Sequence, residues 1–255
     1  MTPPYSALRT GLIRAASILA MLALWALVAH LMADPHTLPS PGRVLEVIVK
    51  EAGRGTLWRH MGATMLRVGF AFGVAMVLGI ALGILLGLSR RLNTWADPWV
   101  LMAQNLPALV VIVLAYLWIG LNEVAAIVAV SFNKTALVLV TVREGTRAMD
   151  PRISEMARVF GMSPWARLRH VVLPQLAPFV MASARNGLAI IWKLVLVVEF
   201  LGRPNGVGFQ IHLYFQLFDV AHVLAYSLAF VVVMLAIEFT LVQRVERHVT
   251  RWRTA

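Results

Sequence analysis

The sequence predicts an all-α protein, a polytopic membrane helix bundle of about six transmembrane helices. Three observations carry this expectation. Of 255 residues, 60% are hydrophobic and only 14% charged, against about 25% charged in an ordinary soluble domain. The apolar residues gather into six runs of roughly 18 or more, long enough to cross a bilayer as helices. The basic residues fall between those runs and favour alternate loops, the bias that orients membrane proteins.

The runs cover about 12–32, 62–88, 99–119, 124–142, 176–199 and 223–243. The first, flanked by Arg9 and Arg14, has some features of a cleaved signal segment, but it is long for one and reads as an uncleaved anchor. With the N-terminus inside, one side collects fourteen arginines, from Arg9 and Arg14 through Arg147, Arg152, Arg158 and Arg169 to the tail. The other side collects only Arg43, Lys50, Arg54, Arg59 and Arg203. The expected topology is therefore N-in and C-in. The net charge of +11 then marks a cytoplasmic face and does not call for nucleic acid.

Three regions follow. Residues 1–59 hold the first span and a periplasmic segment, in which Pro35, Pro39 and Pro41 exclude helix at first. "RVLEVIVKEA" is then periodic enough for a short amphipathic helix at the surface, either a rim or a plain connector. Residues 60–244 form the main membrane domain, with a cytoplasmic loop over 143–175, and 245–255 form a basic tail.

Within the spans, Gly69 and Gly73, and then Gly79, Gly83 and Gly87, recur at four-residue spacing, which lets helix backbones approach closely in lipid. Pro107 should break or kink the third span. Charged groups inside spans are costly and usually face a bundle interior or a watery cavity. Lys134, Arg185, Asn186, Lys193 and Glu199 are therefore candidates for a translocation path, whose positive charge would suit an anion. The alternative is snorkelling or internal pairing, for example Lys193 with Glu199.

The loop is the most patterned segment. Asp150–Pro151 is an N-cap followed by proline at the first helical position. Ile153, Met156, Ala157 and Phe160 then share one helical face, and Gly161 suits the C′ position with positive φ. Ser163–Pro164 repeats the start signal, with Trp165, Leu168 and Val172 as a second apolar face, and Pro174 and Pro178 lead into the fifth span. The outline of a basic helix-turn-helix raises DNA binding, anionic lipid and docking on a protein partner. The arginines merely continue the topological bias, which disfavours DNA. Lipid attraction would not require so specific a turn.

Glu155, Ala157, Gly161, Val171, Leu173 and Pro174 stand at the spacing E-x-A-x3-G-x9-[IV]-x-L-P. This resembles the EAA loop of ABC-transporter permeases of the binding-protein-dependent type I importer class, with Met156 where a second alanine usually sits. "LPSPGRV", "MLRVGFAFGVAMVLGIALGILLGLSR" and "IIWKLVLVVEFLGRPNGVGFQI" are similar to the nitrate/sulfonate/taurine branch. The resemblance implies a type I ABC importer transmembrane fold in a bacterial inner membrane. Its coupling loop would comprise Ile153, Glu155, Met156, Ala157, Phe160, Gly161, Leu173 and Pro174. It implies as partners a separate ABC ATPase subunit, a periplasmic or lipid-anchored solute-binding protein, a second permease copy and membrane lipid.

Other chemistry is not encoded. The sequence has no cysteine, which removes thiol and Cys-type zinc sites. Its three lysines, Lys50, Lys134 and Lys193, follow no G-x4-GK[ST] pattern, and no HExxH or Ser/His/Asp spacing occurs. The chain by itself is expected to be no enzyme and to bind no cofactor or metal directly, with ATP and Mg held by the partner. An ATP-independent secondary transporter and a non-transporting scaffold are the rival classes.

Overall fold

A computed structural model describes residues 5–242 of the chain, with side chains described for 9–240. Among the described residues every regular element is helical. Helix α1 (Tyr5–Met32) is followed by α2 (Pro41–Gly53), whose start has the expected chemistry. Ser40 Oγ accepts from the Arg43 N–H at 3.3 Å and Pro41 opens the helix. The inward face of α2, Val44 and Val47, packs on Ala225, with Trp25 of α1 beside it. Trp25 Nε1 donates to the Pro39 carbonyl at 3.1 Å. Apart from the buried Ala29, the rest of α1 exposes its apolar surface.

Helix α3 (Thr56–Leu88) runs away from that end of the molecule, and α6 (Glu123–Arg147) lies parallel to it. A Cβ at Gly79 would stand 2.5 Å from Val138 Cβ, one at Gly83 2.7 Å from Val142 Cβ, and one at Gly87 would collide with Thr146. The glycine spacing thus marks a real close approach, but only over its second half. Gly69 and Gly73 have nothing within 4 Å, so the expectation of tight packing fails there.

The third expected span, 99–119, is not one helix. Helix α4 (Arg90–Asn105) and α5 (Ala108–Ile119) meet at 96°. Leu106 between them is extended, with ψ of 125°, because a residue before proline is pushed out of the helical region. Pro107 is the break its sequence position announces, and α4 reaches back to its Ser89 cap.

Helices α7 (Pro151–Val159) and α8 (Pro164–Arg167) form the loop, and α9 (Leu173–Gly202) returns antiparallel to α6. The second loop helix is not a separate short element. From Pro164 the chain stays helical through a π-helical stretch, Leu168–Val172, directly into α9. Pro174 and Pro178 lie within this helical run. A wider turn just before two residues that lack N–H donors accommodates their rings without ending the helix.

Helix α10 (Val207–Gln216) lies across the end opposite the loop, and α11 (Val220–Ile237) completes the bundle, leading into a second π-helical stretch, Glu238–Val242. The largest core joins α3, α5, α6, α9 and α11 around Tyr226, Ile112, Ile191, Trp192 and Phe230. Helices α1, α3, α6 and α11 are long and apolar enough to cross a membrane, and the bent α4–α5 pair would make a fifth span. The expected fifth run, 176–199, lies inside α9, which carries Arg185, Lys193 and Glu199 and is not among those four. The tail 245–255 lies outside the described residues.

Candidate functional site

The loop between α6 and α9 is built by local capping. Asp150 Oδ1 accepts from the Arg152 N–H at 2.8 Å, satisfying a donor that a helix start leaves free. At the other end Gly161 has φ of +63°. Its N–H reaches the Arg158 carbonyl at 3.0 Å, and the Met162 N–H reaches the Ala157 carbonyl at 3.0 Å. This pair of bonds is a Schellman stop, so glycine is required at 161 by backbone conformation and not by crowding. Ser163 Oγ then accepts from the Ala166 N–H at 3.2 Å, restarting the helix. The Asp150 N–H donates to Gln175 Oε1 at 3.1 Å, which ties the start of α7 to the first turn of α9.

What this frame presents is apolar. Ala157 is fully buried, whereas Met156 is 51% and Phe160 78% exposed, and Ile153 and Val159 are exposed beside them. The shared face expected of Ile153, Met156, Ala157 and Phe160 is therefore divided. Ala157 packs inward, and the others look out. Trp165 also points outward, while Val172 is buried and Leu168 packs against the same cluster. Glu155, Gly161, Leu173 and Pro174 are exposed on the same end of the molecule.

The charged residues of the spans divide into three groups. Glu199 is fully buried and Arg67 nearly so. Arg67 Nη1 donates to Glu199 Oε1 at 2.6 Å, and its Nε and Nη2 donate to the two oxygens of Glu123 at 2.7 and 2.6 Å. Arg203 Nη2 donates to Glu123 Oε1 at 2.6 Å. Thr64 Oγ1 and the Gly208 N–H supply Glu199 Oε2, each at 2.9 Å, and Arg67 also bonds Asn205. Lys193 is thus not the partner of Glu199, because the carboxylate faces α3 and Lys193 lies on the exposed side of α9. This network ties α3, α6, α9 and the turn before α10 at the end opposite the loop. Sequence reasoning singled out Glu199 but not its convergence with Arg67, Glu123, Arg203 and Asn205, which no local spacing encodes.

Arg185, Asn186 and Lys193 form the second group. They recur along the exposed face of α9, and Arg185 Nε stands 3.5 Å from Glu238 Oε1. Lys134 is the third, on α6 and 1% exposed, packed over Gly187 on the opposite, inward face of α9. The candidate path residues therefore do not converge. Three share one helix face, Glu199 is locked in an ion network, and Lys134 lies in the α6–α9 seam.

A bundle of long apolar helices, with a capped loop that exposes several bulky apolar side chains among charged ones, defines a protein of the membrane permease class. The chain belongs to the family of binding-protein-dependent transport system inner membrane components, whose model matches residues 75–253. It is the permease subunit of an ABC importer, a class of subunit that is not itself an enzyme and works with an ATPase and a solute-binding protein. Relatives include a Bacillus subtilis (strain 168) protein named for aliphatic sulfonates transport, SsuC, 28% identical over 92% of this chain and 85% of its own. The Escherichia coli (strain K12) protein of the same name is 32% identical over 74% of this chain and 72% of its own. The taurine transport system permease protein TauC of the same strain is 27% identical over 91% and 86%. Among solved structures, an inward-facing MetNI methionine ABC transporter chain matches with a TM-score of 0.68 at 19% identity, covering 78% of this chain and 98% of that one. That likeness speaks to the fold alone.

Proposed function

We propose that two copies of this chain enclose the membrane path of an importer for a small anion, and that ATP-driven motion enters each copy through α7. The carrying observation is that α7 is fixed at both ends by its own caps, yet leaves Ile153, Met156 and Phe160 exposed at a polar end of the molecule. Bulky apolar side chains held out by a rigid turn suit a groove on a partner. In this reading the partner is the ATPase, which holds ATP and Mg. Glu155 is a polar contact at the rim, Gly161 sets the turn, and Leu173–Pro174 carries motion into α9. The arginine bias supports a cytoplasmic loop and N-in/C-in orientation, and the exposed apolar surface of α1 suits lipid.

The solute class rests on two supports. Relatives are named for aliphatic sulfonates, taurine and bicarbonate transport. The exposed face of α9 is polar and basic through Arg185, Asn186 and Lys193, and faces of that kind in a membrane line water or a path. Lys134 and Glu199 lie off this face.

The test is ATP-dependent uptake of taurine or ethanesulfonate into proteoliposomes holding the permease, its ATPase and its binding protein. Wild type should accumulate solute. Glu155→Ala with Gly161→Val should lose both ATPase co-purification and uptake, while the variant permease itself remains folded. Undiminished association and uptake in that double variant would sink the docking assignment.

A further inference from the structure

Five buried polar atoms have no hydrogen-bond partner among the described residues, on Lys134, Arg143, Ser183, Arg203 and His212. Arg143, Arg203 and His212 are held through their other nitrogens. Only Lys134 and Ser183 have polar ends that are wholly unsatisfied, and both lie in the α6–α9 seam. Ser183 is buried on the inward face of α9, one turn before Gly187, and Gly187 is the residue Lys134 lies on. A Cβ at 187 would fall on Lys134 Cε and stand 3.0 Å from Nζ. Glycine at 187 is the gap into which this ammonium fits.

This arrangement is expensive as mere packing. A buried charge without a counter-charge costs several kcal/mol, and methionine would fill the same volume with no such penalty. An ammonium offers three donors and no acceptor, and a serine hydroxyl, which can also accept, adds one more donor. No carboxylate lies within salt-bridge distance of Lys134 among the described residues. What such a set lacks is an anion with several acceptor oxygens.

We infer that Lys134 and Ser183 form an anion-binding site for the oxyanion head of the transported solute, a sulfonate or carboxylate, presented when α9 separates from α6. The inference rests on the permease reading. The seam is closed in this conformation, but α9 is the helix best connected to the docking loop. It is continuous with that loop through the π-helical stretch Leu168–Val172, a kind of irregularity frequent at functional sites. It is also tied to the start of α7 by the Asp150–Gln175 bond. Motion entering at α7 therefore acts on α9 and so on the seam that holds Lys134. The site is distinct from the Arg185–Lys193 face, which lies on the other side of α9.

The cysteine-free sequence allows a direct test. Ser183→Cys would be the permease's only thiol, and its labelling can be read as a mass shift of the permease chain. The complete complex in proteoliposomes is treated with sulfonatoethyl or trimethylammonioethyl methanethiosulfonate, without nucleotide, with ATP, and trapped with vanadate. Rates are normalised to a free thiol. In at least one state the anionic reagent should react about tenfold or more faster than the cationic one, because the Lys134 ammonium lies over Gly187, one turn along α9 from this thiol. That preference should vanish in Lys134→Met and Lys134→Gln and persist in Lys134→Arg. Removing a buried charge relieves a desolvation cost, so the neutral variants should assemble at least as well as wild type. No labelling in any state, or equal rates for the two reagents with Lys134 present, overturns the anion site. If wild-type ATP-driven uptake is intact in the same vesicles, the permease reading survives that result. If wild-type uptake is absent, both fall.

Discussion

Arg67 and Glu199 are 132 positions apart in the chain and meet at 2.6 Å, with Glu199 fully buried. Their contact fastens α3 to α9, and through Glu123 and Arg203 it also fastens the start of α6 and the turn before α10. Glu199 further accepts from Thr64 and Gly208, so its oxygens are satisfied by three residues on two helices, α3 and α10. Such satisfaction is what lets a carboxylate remain inside an apolar bundle.

Removing one partner should therefore cost far more than removing both. Glu199→Ala is expected to lose about 3–5 kcal/mol, since Arg67 would be left buried and only half paired. Arg67→Met with Glu199→Leu should recover part of that loss. Thermal unfolding of the purified permease, followed by aggregation or circular dichroism, measures both. A double-variant loss equal to the sum of the Arg67 and Glu199 single losses would mean that the pair is not coupled.

The glycines of α3 should separate by position despite identical spacing. Gly69→Ala and Gly73→Ala meet open space and should stabilise the helix by up to about 1 kcal/mol. Gly83→Ala must push on Val142 and the Leu139 carbonyl and should destabilise by about 1–3 kcal/mol, as overpacking does. Midpoints of thermal unfolding for the three variants decide it, and a gain in stability for Gly83→Ala would count against the close α3–α6 approach.

Glu51, on α2, makes stability depend on pH. Burial pushes its pKa up, but hydrogen bonds from Thr56 and Tyr226, with His222 and Arg54 nearby, outweigh this and hold it below the usual carboxylate range. A carboxylate depressed in the folded state stabilises fully above its unfolded pKa and loses that contribution as pH falls through the folded one. Wild type should therefore lose stability on acidification below the ordinary glutamate range. Glu51→Gln should flatten part of that slope, and an unchanged slope would remove Glu51 as its source.

The exposed apolar side chains of α7 should matter to association and not to folding. Phe160→Ala and Met156→Ala are each expected to weaken ATPase binding by about tenfold, on the order of 1–2 kcal/mol for interface anchors. Permease melting should be unaffected. Asp150→Ala should act differently, costing about 1 kcal/mol of local helix stability through the lost cap. Affinity measurements on the isolated subunits, set beside melting curves, separate the two effects.

Much of the loop between α6 and α9 was legible in the sequence because its determinants are local. Asp150, Pro151, Gly161, Ser163 and Pro164 act within a few residues of themselves, and each cap forms where its residue type predicts. Pro107 broke the third span for the same reason. The second loop helix was misjudged because Pro174 and Pro178 usually end helices, and a π-helical stretch absorbed them instead.

By itself the sequence determined the helical class, most of the apolar runs, the capped loop and the family spacing from Glu155 to Pro174, since hydrophobic length and short-range hydrogen bonding set these. Only the tertiary structure decided which polar groups inside the spans meet. Periodicity places Lys134, Lys193 and Glu199 on helices, but their partners depend on how distant helices rotate and pack against one another. That packing gave Glu199 to Arg67, turned Lys193 outward, and left Lys134 over Gly187 with no partner among the described residues.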